Sequence, residues 1–217
     1  MVRKLIERFY ARVAAVVEPL APRSVLDAGC GEGETLARLG PLLPSRVAAV
    51  DVDPEAVAFT SGRFPAANVS RASVYELPFA DAEFELVLCL EVLEHLGRPA
   101  DAVAELARVG GGRVVVSVPH EPWFRAGSLL RGKYPATLGN HPEHVNQFNP
   151  SSLRRLLERD LDVLRVKRSF PWLIAVCDPR RSRRARGSRS ARPAIPASRA
   201  RGDLGASEPA SGRSGRG

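Results

Sequence analysis

Alternating glycines and two aspartates mark the part of the sequence best suited to bind a ligand. Residues 25–33 read VLDAGCGEG, a short apolar run followed directly by Gly29, Gly31 and Gly33. Asp27 lies inside this run, and Asp51 ends the next apolar run along the chain. Glycines let the backbone approach a ligand closely, and carboxylates accept hydrogen bonds from hydroxyl and ammonium groups. Together these features predict a site for a small organic ligand.

A dinucleotide is the first ligand to consider for such a turn. Its motif, GxGxxG, needs a third glycine where this chain has Glu34. Glu32 and Glu34 also place negative charge where a pyrophosphate would lie, and like charges repel. A sulfonium ligand with an amino-acid portion instead needs carboxylate and carbonyl partners. The acidic residues therefore favour a cationic ligand, with Asp51 accepting from both hydroxyls of a ribose.

Two histidines in the segment HPEHVNQF are candidates for proton transfer. Histidine has an unperturbed pKa of about 6.5, so a loop histidine can take a proton from an acceptor hydroxyl near neutral pH. We predict His144, and after it His141, as the general base; the alternative is that both only hold the loop by hydrogen bonds. Pro142 interrupts the helical spacing of a zinc site and no cysteine is nearby, so no metal is predicted.

Apolar runs alternate with helical patterns from residue 24 to residue 119. The strand candidates are SVLDA, RVAAVD, FELVLCL and GGRVVVSVP, with DVLRVKRSF and PWLIAVC after residue 160. Asp53 with Pro54, and Asn149 with Pro150, have the pattern of an N-cap followed by the first helical residue. This alternation predicts a parallel sheet with helices on both faces, whose ligands bind beyond the carboxyl ends of the strands. Residues 119–150 form a connection longer than usual, which we expect to cap an acceptor site.

The net charge of +8 comes from the end of the chain. Residues 180–217 hold eleven arginines against Asp203 and Glu208, 11 − 2 = +9, which leaves +8 − 9 = −1 for residues 1–179. This tail of Arg, Ser, Gly and Pro has few large apolar residues, so we expect it to be disordered. It could contact phosphates without sequence specificity, or be a solvated extension. We therefore predict one domain, residues 1–179, and a disordered tail, residues 180–217.

The cysteines and the apolar content bear on the cellular location. Cys30, Cys89 and Cys177 are isolated in apolar contexts, which favours buried thiols in a reducing compartment, and we expect a cytoplasmic protein. The hydrophobic content of 44% is near the globular norm. No run approaches the roughly 18 apolar residues of a membrane-spanning helix, so no integral membrane segment is predicted. No feature of the sequence indicates an oligomeric state.

Four segments in order resemble the class I S-adenosylmethionine-dependent methyltransferases, over residues 20–179. VLDAGCGEG is similar to their first motif, AVDVDPEAV to the acidic end of the second strand, YELPFADAEFELVLCLEVLEHL to the third and fourth motifs, and GGRVVVSVP to the fifth strand. The resemblance implies a Rossmann-like, doubly wound α/β fold. Its mostly parallel seven-stranded sheet would carry helices on both faces, and S-adenosyl-L-methionine would be the cofactor.

The resemblance also implies which residues hold this donor. The glycine turn would surround the methionine portion, Asp51 would bind the ribose, and the backbone near Glu91 would line the methyl side. The family commonly has an aspartate for the adenine amino group where this chain has Ser73, so the Ser73 hydroxyl, the Val74 amide and apolar contacts are expected to serve instead. The predicted donor-binding residues are Asp27, Gly29, Cys30, Gly31, Gly33, Asp51, Val52, Ser73, Val74, Leu90 and Glu91. We expect Glu94 and His95 in EVLEHL to form a solvated helix start.

The expected activity is methylation of a small-molecule acceptor, namely a metabolite, sugar or lipid, at an oxygen atom. Nucleic-acid enzymes that methylate amino groups carry a DPPY-like tetrad where this chain reads LEVL, so nucleic acid is disfavoured except for weak contact through the tail. Two alternatives stay open. One is an RNA-directed methyltransferase that uses the basic tail, and the other is a non-catalytic nucleotide-binding module of the same fold.

Overall fold

The computed structural model describes residues 2–120 and 145–180. These residues form a seven-stranded sheet flanked by helices. The strands are β1 (Ser24–Ala28), β2 (Arg46–Asp51), β3 (Asn68–Arg71), β4 (Phe84–Leu90), β5 (Gly110–Pro119), β6 (Leu161–Ser169) and β7 (Trp172–Pro179). The helices are α1 (Val2–Val17), α2 (Glu34–Leu39), α3 (Pro54–Arg63), α4 (Pro99–Val109) and α5 (Pro150–Leu157). Short 3₁₀ helices span Glu18–Leu20, Gly40–Leu42 and Leu93–His95.

The strand order is β3-β2-β1-β4-β5-β7-β6, and the first five strands are parallel. β7 runs antiparallel to both β5 and β6. A short turn joins β6 to β7, and because it leaves no room for a crossover these two strands pair antiparallel. The chain reverses its direction of winding between β1 and β4, which is where open sheets of this kind bind ligands. The predicted doubly wound, mostly parallel fold is confirmed.

Helices cover both faces of the sheet, and the core lies between them and the strands. On one face α4 and α5 pack against the sheet through Val103, Leu106, Leu153 and Leu157, all fully buried. On the other face α1 contributes its apolar stripe, Phe9, Val13, Val16 and Val17. Burial of each such side chain contributes about 1.5–3 kcal/mol to folding, so both layers fix the strand ends that carry polar groups.

Helix caps place two helices at the carboxyl edge of the sheet, as the sequence predicts. The Asp53 carboxylate accepts a hydrogen bond from the Glu55 amide at 2.9 Å, and Pro54 is the first residue of α3. The Asn149 side chain caps α5 in the same way, by accepting from Ser151 and Ser152 at 3.0 and 2.9 Å. The predicted tail lies outside the described residues, except for Arg180.

Candidate functional site

Acidic side chains meet at the carboxyl ends of three neighbouring strands. Asp51 is the last residue of β2, Asp27 is the fourth of five residues in β1, and Glu91 follows β4 directly. Since β1 lies between β2 and β4, these groups come together at one edge although they are far apart in the chain. The sequence-predicted acidic positions therefore share one site.

The glycine turn after β1 adopts a backbone that other residues rarely take. Gly29, Gly31 and Gly33 have φ values of 86°, 48° and 75°. The turn is closed by the Gly29 and Cys30 amides, which donate to the Val50 carbonyl at 2.8 and 3.0 Å. A positive φ costs a residue with a Cβ roughly 1–2 kcal/mol, so the backbone conformation favours glycine at all three positions.

The three glycines differ in how much free space surrounds them. A Cβ on Gly29 would lie 2.4 Å from Cγ2 of Val92, and one on Gly33 would lie 2.7 Å from the Phe64 ring. A Cβ on Gly31 would meet no atom within 4 Å. Gly29 and Gly33 are thus packed against neighbouring elements, whereas Gly31 faces open space that a ligand can approach.

Asp51 connects the turn to the end of β2. Its Oδ2 accepts a hydrogen bond from the Gly31 amide at 2.8 Å, and its Oδ1 accepts from the Asp53 amide at 3.0 Å. A carboxylate has about four acceptor positions, so two remain for hydroxyl groups. Val52, the next residue, is an apolar side chain that is 57% exposed beside this carboxylate. Asp51 can therefore accept hydrogen bonds from hydroxyl groups of a ligand ring, and Val52 can pack against an apolar ring face of the same ligand.

Asp27 is a buried carboxyl that lacks a close hydrogen bond within the described residues, although the Thr35 side chain lies near enough to affect its pKa. It is 1% exposed, and neither of its oxygens has a partner among the described residues. Burial raises the pKa of Asp27 to about 7, the charge of Asp51 adds to the rise, and the Thr35 side chain opposes it. A buried, unpaired carboxyl costs free energy that a cation would recover. The arrangement suits a ligand that brings a positive charge.

Glu91 continues this acidic edge at the end of β4. Its backbone has a φ of 59°, its amide donates to the Ser117 carbonyl at 3.1 Å, and its Oε1 accepts from the Ser117 hydroxyl at 2.7 Å. Burial raises the pKa of Glu91 to about 7, against hydrogen bonds from Ser117 and Trp172 that lower it. The preceding Leu90 is buried. Strained backbone at a residue with such contacts is typical of functional sites.

Glu94 contradicts the expectation of a solvated helix start. It is 1% exposed and its Oε2 has no hydrogen-bond partner within the described residues. Burial raises the pKa of Glu94 to about 9, and the charge of Glu91 adds to the rise. The prediction was wrong. Folding also brings a distant segment to this short helix, where the Val145 and Asn146 amides donate to the Glu94 carbonyl at 2.9 and 3.0 Å. His95 is exposed, as expected.

Ser73 and Val74 lie just after β3, on the other side of Asp51. The Ala72 amide donates to the Asp51 carbonyl at 3.0 Å, which holds this loop against β2. The Ser73 hydroxyl accepts from the Tyr75 amide at 3.2 Å, and its hydrogen is free to donate elsewhere. The Val74 side chain is buried in the core. The loop is therefore at the predicted edge of the site.

Both ends of the long connection are fixed at the same edge. The His120 amide donates to the Pro171 carbonyl at 2.8 Å, and residues 120 and 148 form a parallel bridge. The Asn146 side-chain amide donates to the Leu93 and Leu96 carbonyls at 3.2 and 2.6 Å. Residues 121–144, with the predicted bases His141 and His144, lie outside the described residues. The sequence offered no signal for the role of Asn146, because its partners are about fifty residues away.

The cysteines have no catalytic environment. Cys30, Cys89 and Cys177 are free and buried, as predicted, and Cys89 lies within β4. Burial raises the pKa of Cys30 and Cys177 to about 12 and also raises that of Cys89, so the reactive thiolate is disfavoured. In the two described stretches no helix is long and apolar enough to cross a lipid bilayer.

Comparison with known proteins gives a consistent result. A family described as a methyltransferase domain matches residues 26–116. A Mycobacterium tuberculosis protein named a probable S-adenosylmethionine-dependent methyltransferase is 38% identical over 155 residues, which cover 69% of this chain and 53% of that protein. A ubiquinone biosynthesis O-methyltransferase from Hahella chejuensis is 39% identical over 98 residues, 42% of this chain and 40% of that protein. The chain spans about half the length of the mycobacterial relatives that it matches.

Solved structures share the fold. Magnesium protoporphyrin IX methyltransferase from Synechocystis, solved with the demethylated donor S-adenosylhomocysteine (SAH) bound, superposes with a TM-score of 0.63 at 18% identity. The match covers 82% of this chain and 85% of that one. At this identity the likeness extends to the architecture alone.

Proposed function

Because the chain belongs to the class I S-adenosylmethionine-dependent methyltransferases, we propose that it transfers a methyl group from this donor to an oxygen atom of a small-molecule acceptor. The observation that carries the proposal is Asp27, a buried carboxyl without a close hydrogen bond in the described part of the chain, which lies just before a glycine turn whose Gly31 faces open space. A cationic ligand with an amino-acid portion complements this combination, whereas a pyrophosphate does not.

The residues present fit such a donor. Gly29 to Gly33 and Cys30 would surround the amino-acid portion, with Asp27 compensating positive charge. The remaining acceptor positions of Asp51 would take the ribose hydroxyls, and Val52, Ser73 and Val74 would contact the adenine. Leu90 and the Glu91 backbone would line the methyl side. When bound, the donor supplies a methyl group already activated on sulfur, so the protein's task is to position the acceptor and remove its proton.

We propose that the connection spanning residues 119–150 forms the acceptor site and that the acceptor is a small molecule. One end of this connection is bonded to the Glu94 carbonyl through the Val145 and Asn146 amides, and the other end is held by the hydrogen bond from the His120 amide to the Pro171 carbonyl. We place the general base within it, at His144 or, second, His141. Cysteine-dependent pyrimidine methylation lacks support among the described residues, because Cys89 is buried inside β4 with a raised pKa.

Isothermal titration calorimetry with S-adenosylmethionine (SAM) and with SAH tests the proposal. Asp51→Ala should weaken both ligands about 10- to 100-fold, since a charged hydrogen-bond acceptor contributes about 1.5–3 kcal/mol. Asp101→Ala, which removes an exposed carboxylate on α4, is the matched control and should bind both ligands normally. Unchanged affinity in Asp51→Ala, or tighter binding of NAD than of SAM, would contradict the proposal.

Radiolabelled methyl transfer into pools of metabolites, carbohydrates and lipids then identifies the acceptor. A protein that binds both ligands and methylates no pool would be the non-catalytic module, and transfer to RNA alone would favour the RNA-directed alternative.

A further inference from the structure

The acidic edge holds more carboxyl groups than one cationic ligand requires, and two of them, Asp27 and Glu94, are fully buried. Asp27 alone can compensate a positive charge, yet Glu91 and Glu94 stand beside it after β4. Glu94 is as deeply buried as Asp27 and likewise has an oxygen without a partner in the described chain. A buried carboxyl in this state is stable only when it is protonated or when a ligand pairs with it.

Glu91 and Glu94 differ in what surrounds their carboxyl groups. Oε1 of Glu91 accepts the Ser117 hydroxyl at 2.7 Å, and the Trp172 side chain also favours its charged form. Among the described residues, the group that favours the charged form of Glu94 is its own backbone amide. Burial and the charge of Glu91 oppose its ionisation and raise the pKa of Glu94 to about 9. At pH 8 the pair therefore holds one proton, mainly on Glu94, and one negative charge, mainly on Glu91.

Other titratable groups around the pair are acidic or weakly basic. Cys89 on β4 and Tyr10 on α1 are near it, and the charge of Asp27 on β1 raises the pKa of both. Burial is the main cause that raises the pKa of Tyr10 to about 12, and the charges of Asp27, Glu34 and Glu91 add to the rise. Nε2 of His95 lies 4.0 Å from Oε1 of Glu94. Within the described residues no Lys or Arg forms an ion pair with Glu91 or Glu94. A cation that enters the site would thus be the strongest new influence on the pair.

We propose, on the basis of the proposed function, that the Glu91–Glu94 pair exchanges one proton with the charge of the donor. The pair releases the proton when the cationic donor binds, and it is then ready to accept the proton of an acceptor hydroxyl. In the transfer the acceptor oxygen forms the new bond to carbon, the carbon–sulfur bond breaks, and its electron pair stays on sulfur. The proton that the general base takes from the hydroxyl ends on the pair, because the loss of the positive charge favours its return.

The number of protons released on binding tests this inference without an acceptor. Calorimetric titrations of SAM and of SAH at pH 8, each in two buffers of different ionisation enthalpy, give this number directly. A positive unit charge nearby lowers the pKa of a carboxyl group by about two units. We therefore expect the binding of SAM to release at least about half a proton more than the binding of SAH. The affinity for SAM relative to SAH should then rise roughly tenfold between pH 7 and pH 9.

Two variants and a control assign the effect to the pair. Glu94→Gln mimics the protonated side chain and should abolish the Glu94-dependent release; the ligand's own ammonium group contributes equally to wild type and variant. Ser117→Ala removes the hydrogen bond that favours charged Glu91, so it should increase proton release. Glu18→Gln makes the same change as Glu94→Gln at an exposed position before β1 and should behave as wild type.

Two results would overturn the inference. One is an equal number of protons released from the protein for SAM and SAH in the wild type, once the protons of each ligand's own ammonium group are subtracted, and the other is an unchanged difference in a folded Glu94→Gln variant. If that variant does not fold, the wild-type comparison and Ser117→Ala decide. Failure of SAM to bind at all would contradict the proposed function, whereas binding without linked proton release contradicts this inference alone.

Discussion

Replacement of Asp27 by Asn should stabilise the ligand-free protein while it weakens donor binding. The Asp27 carboxyl is buried and has no hydrogen-bond partner in the described part of the chain. Its pKa rises from 3.8 to about 7, chiefly through burial. The folded protein therefore keeps a proton that the unfolded chain releases above about pH 4, and folding becomes less favourable as the pH rises towards 7.

The size of the effect follows from this shift. Each pKa unit corresponds to about 1.4 kcal/mol, and two units lie between pH 5 and the folded pKa of about 7. The wild type should thus lose about 3 kcal/mol of unfolding free energy from Asp27 between pH 5 and pH 8. Asp27→Asn does not titrate, so the difference between variant and wild type should grow by this amount. For a chain of this size that is about 6–12 °C in melting temperature.

Thermal unfolding from pH 5 to pH 8 measures the difference between the two proteins, and the contributions of Glu91 and Glu94 cancel in that comparison. Asp101→Asn, on the exposed side of α4, controls for the chemical change and should follow the wild type at every pH. Calorimetry at pH 8 should show donor affinity reduced about tenfold or more in Asp27→Asn, because the ligand's charge loses its partner.

The reasoning would be refuted by a melting-temperature difference between Asp27→Asn and the wild type that does not change with pH. That result would mean that the carboxyl is already ionised, and already compensated, in the ligand-free protein. A variant with normal donor affinity would separately exclude Asp27 from the binding site.

Three further predictions concern the turn, the tail and the loop. Gly29→Ala should lower the unfolding free energy, measured in urea, by about 2–4 kcal/mol, because its Cβ would overlap Val92 and its φ is positive. Gly31→Ala should lower it by about 1 kcal/mol, through the positive φ alone. Equal losses in the two variants would contradict this reasoning. A chain that ends after Arg180 should keep its melting temperature and donor affinity, and a fall of several degrees would show that the tail packs on the domain. His144→Gln should lower turnover of an identified acceptor about 100-fold with donor affinity intact, and near-normal turnover would leave positioning alone to explain the rate.

Sequence patterns predicted the central strands because apolar runs, glycines and prolines act locally. The runs that became β1, β2, β4 and β5 are bounded by turn residues, and the caps Asp53 and Asn149 act on amides two or three residues away. β3 was not recognised from the sequence. Its four residues, NVSR, are half-buried or exposed, so they form no apolar run, and only pairing with β2 makes them a strand.

The candidate site also combines features that depend on neighbouring residues in the chain with features that depend on the folded structure. The sequence alone determined which residues end the strands and that three glycines follow β1, because these features depend on covalent neighbours. The tertiary structure decided the protonation of the site, since Ser117 reaches Glu91 across 26 residues and Asn146 covers the segment around Glu94 from about fifty residues away. Burial and electric potential are sums over groups brought together by folding, so the residue types EVLEHL alone could not distinguish a solvated helix start from a buried carboxyl pair.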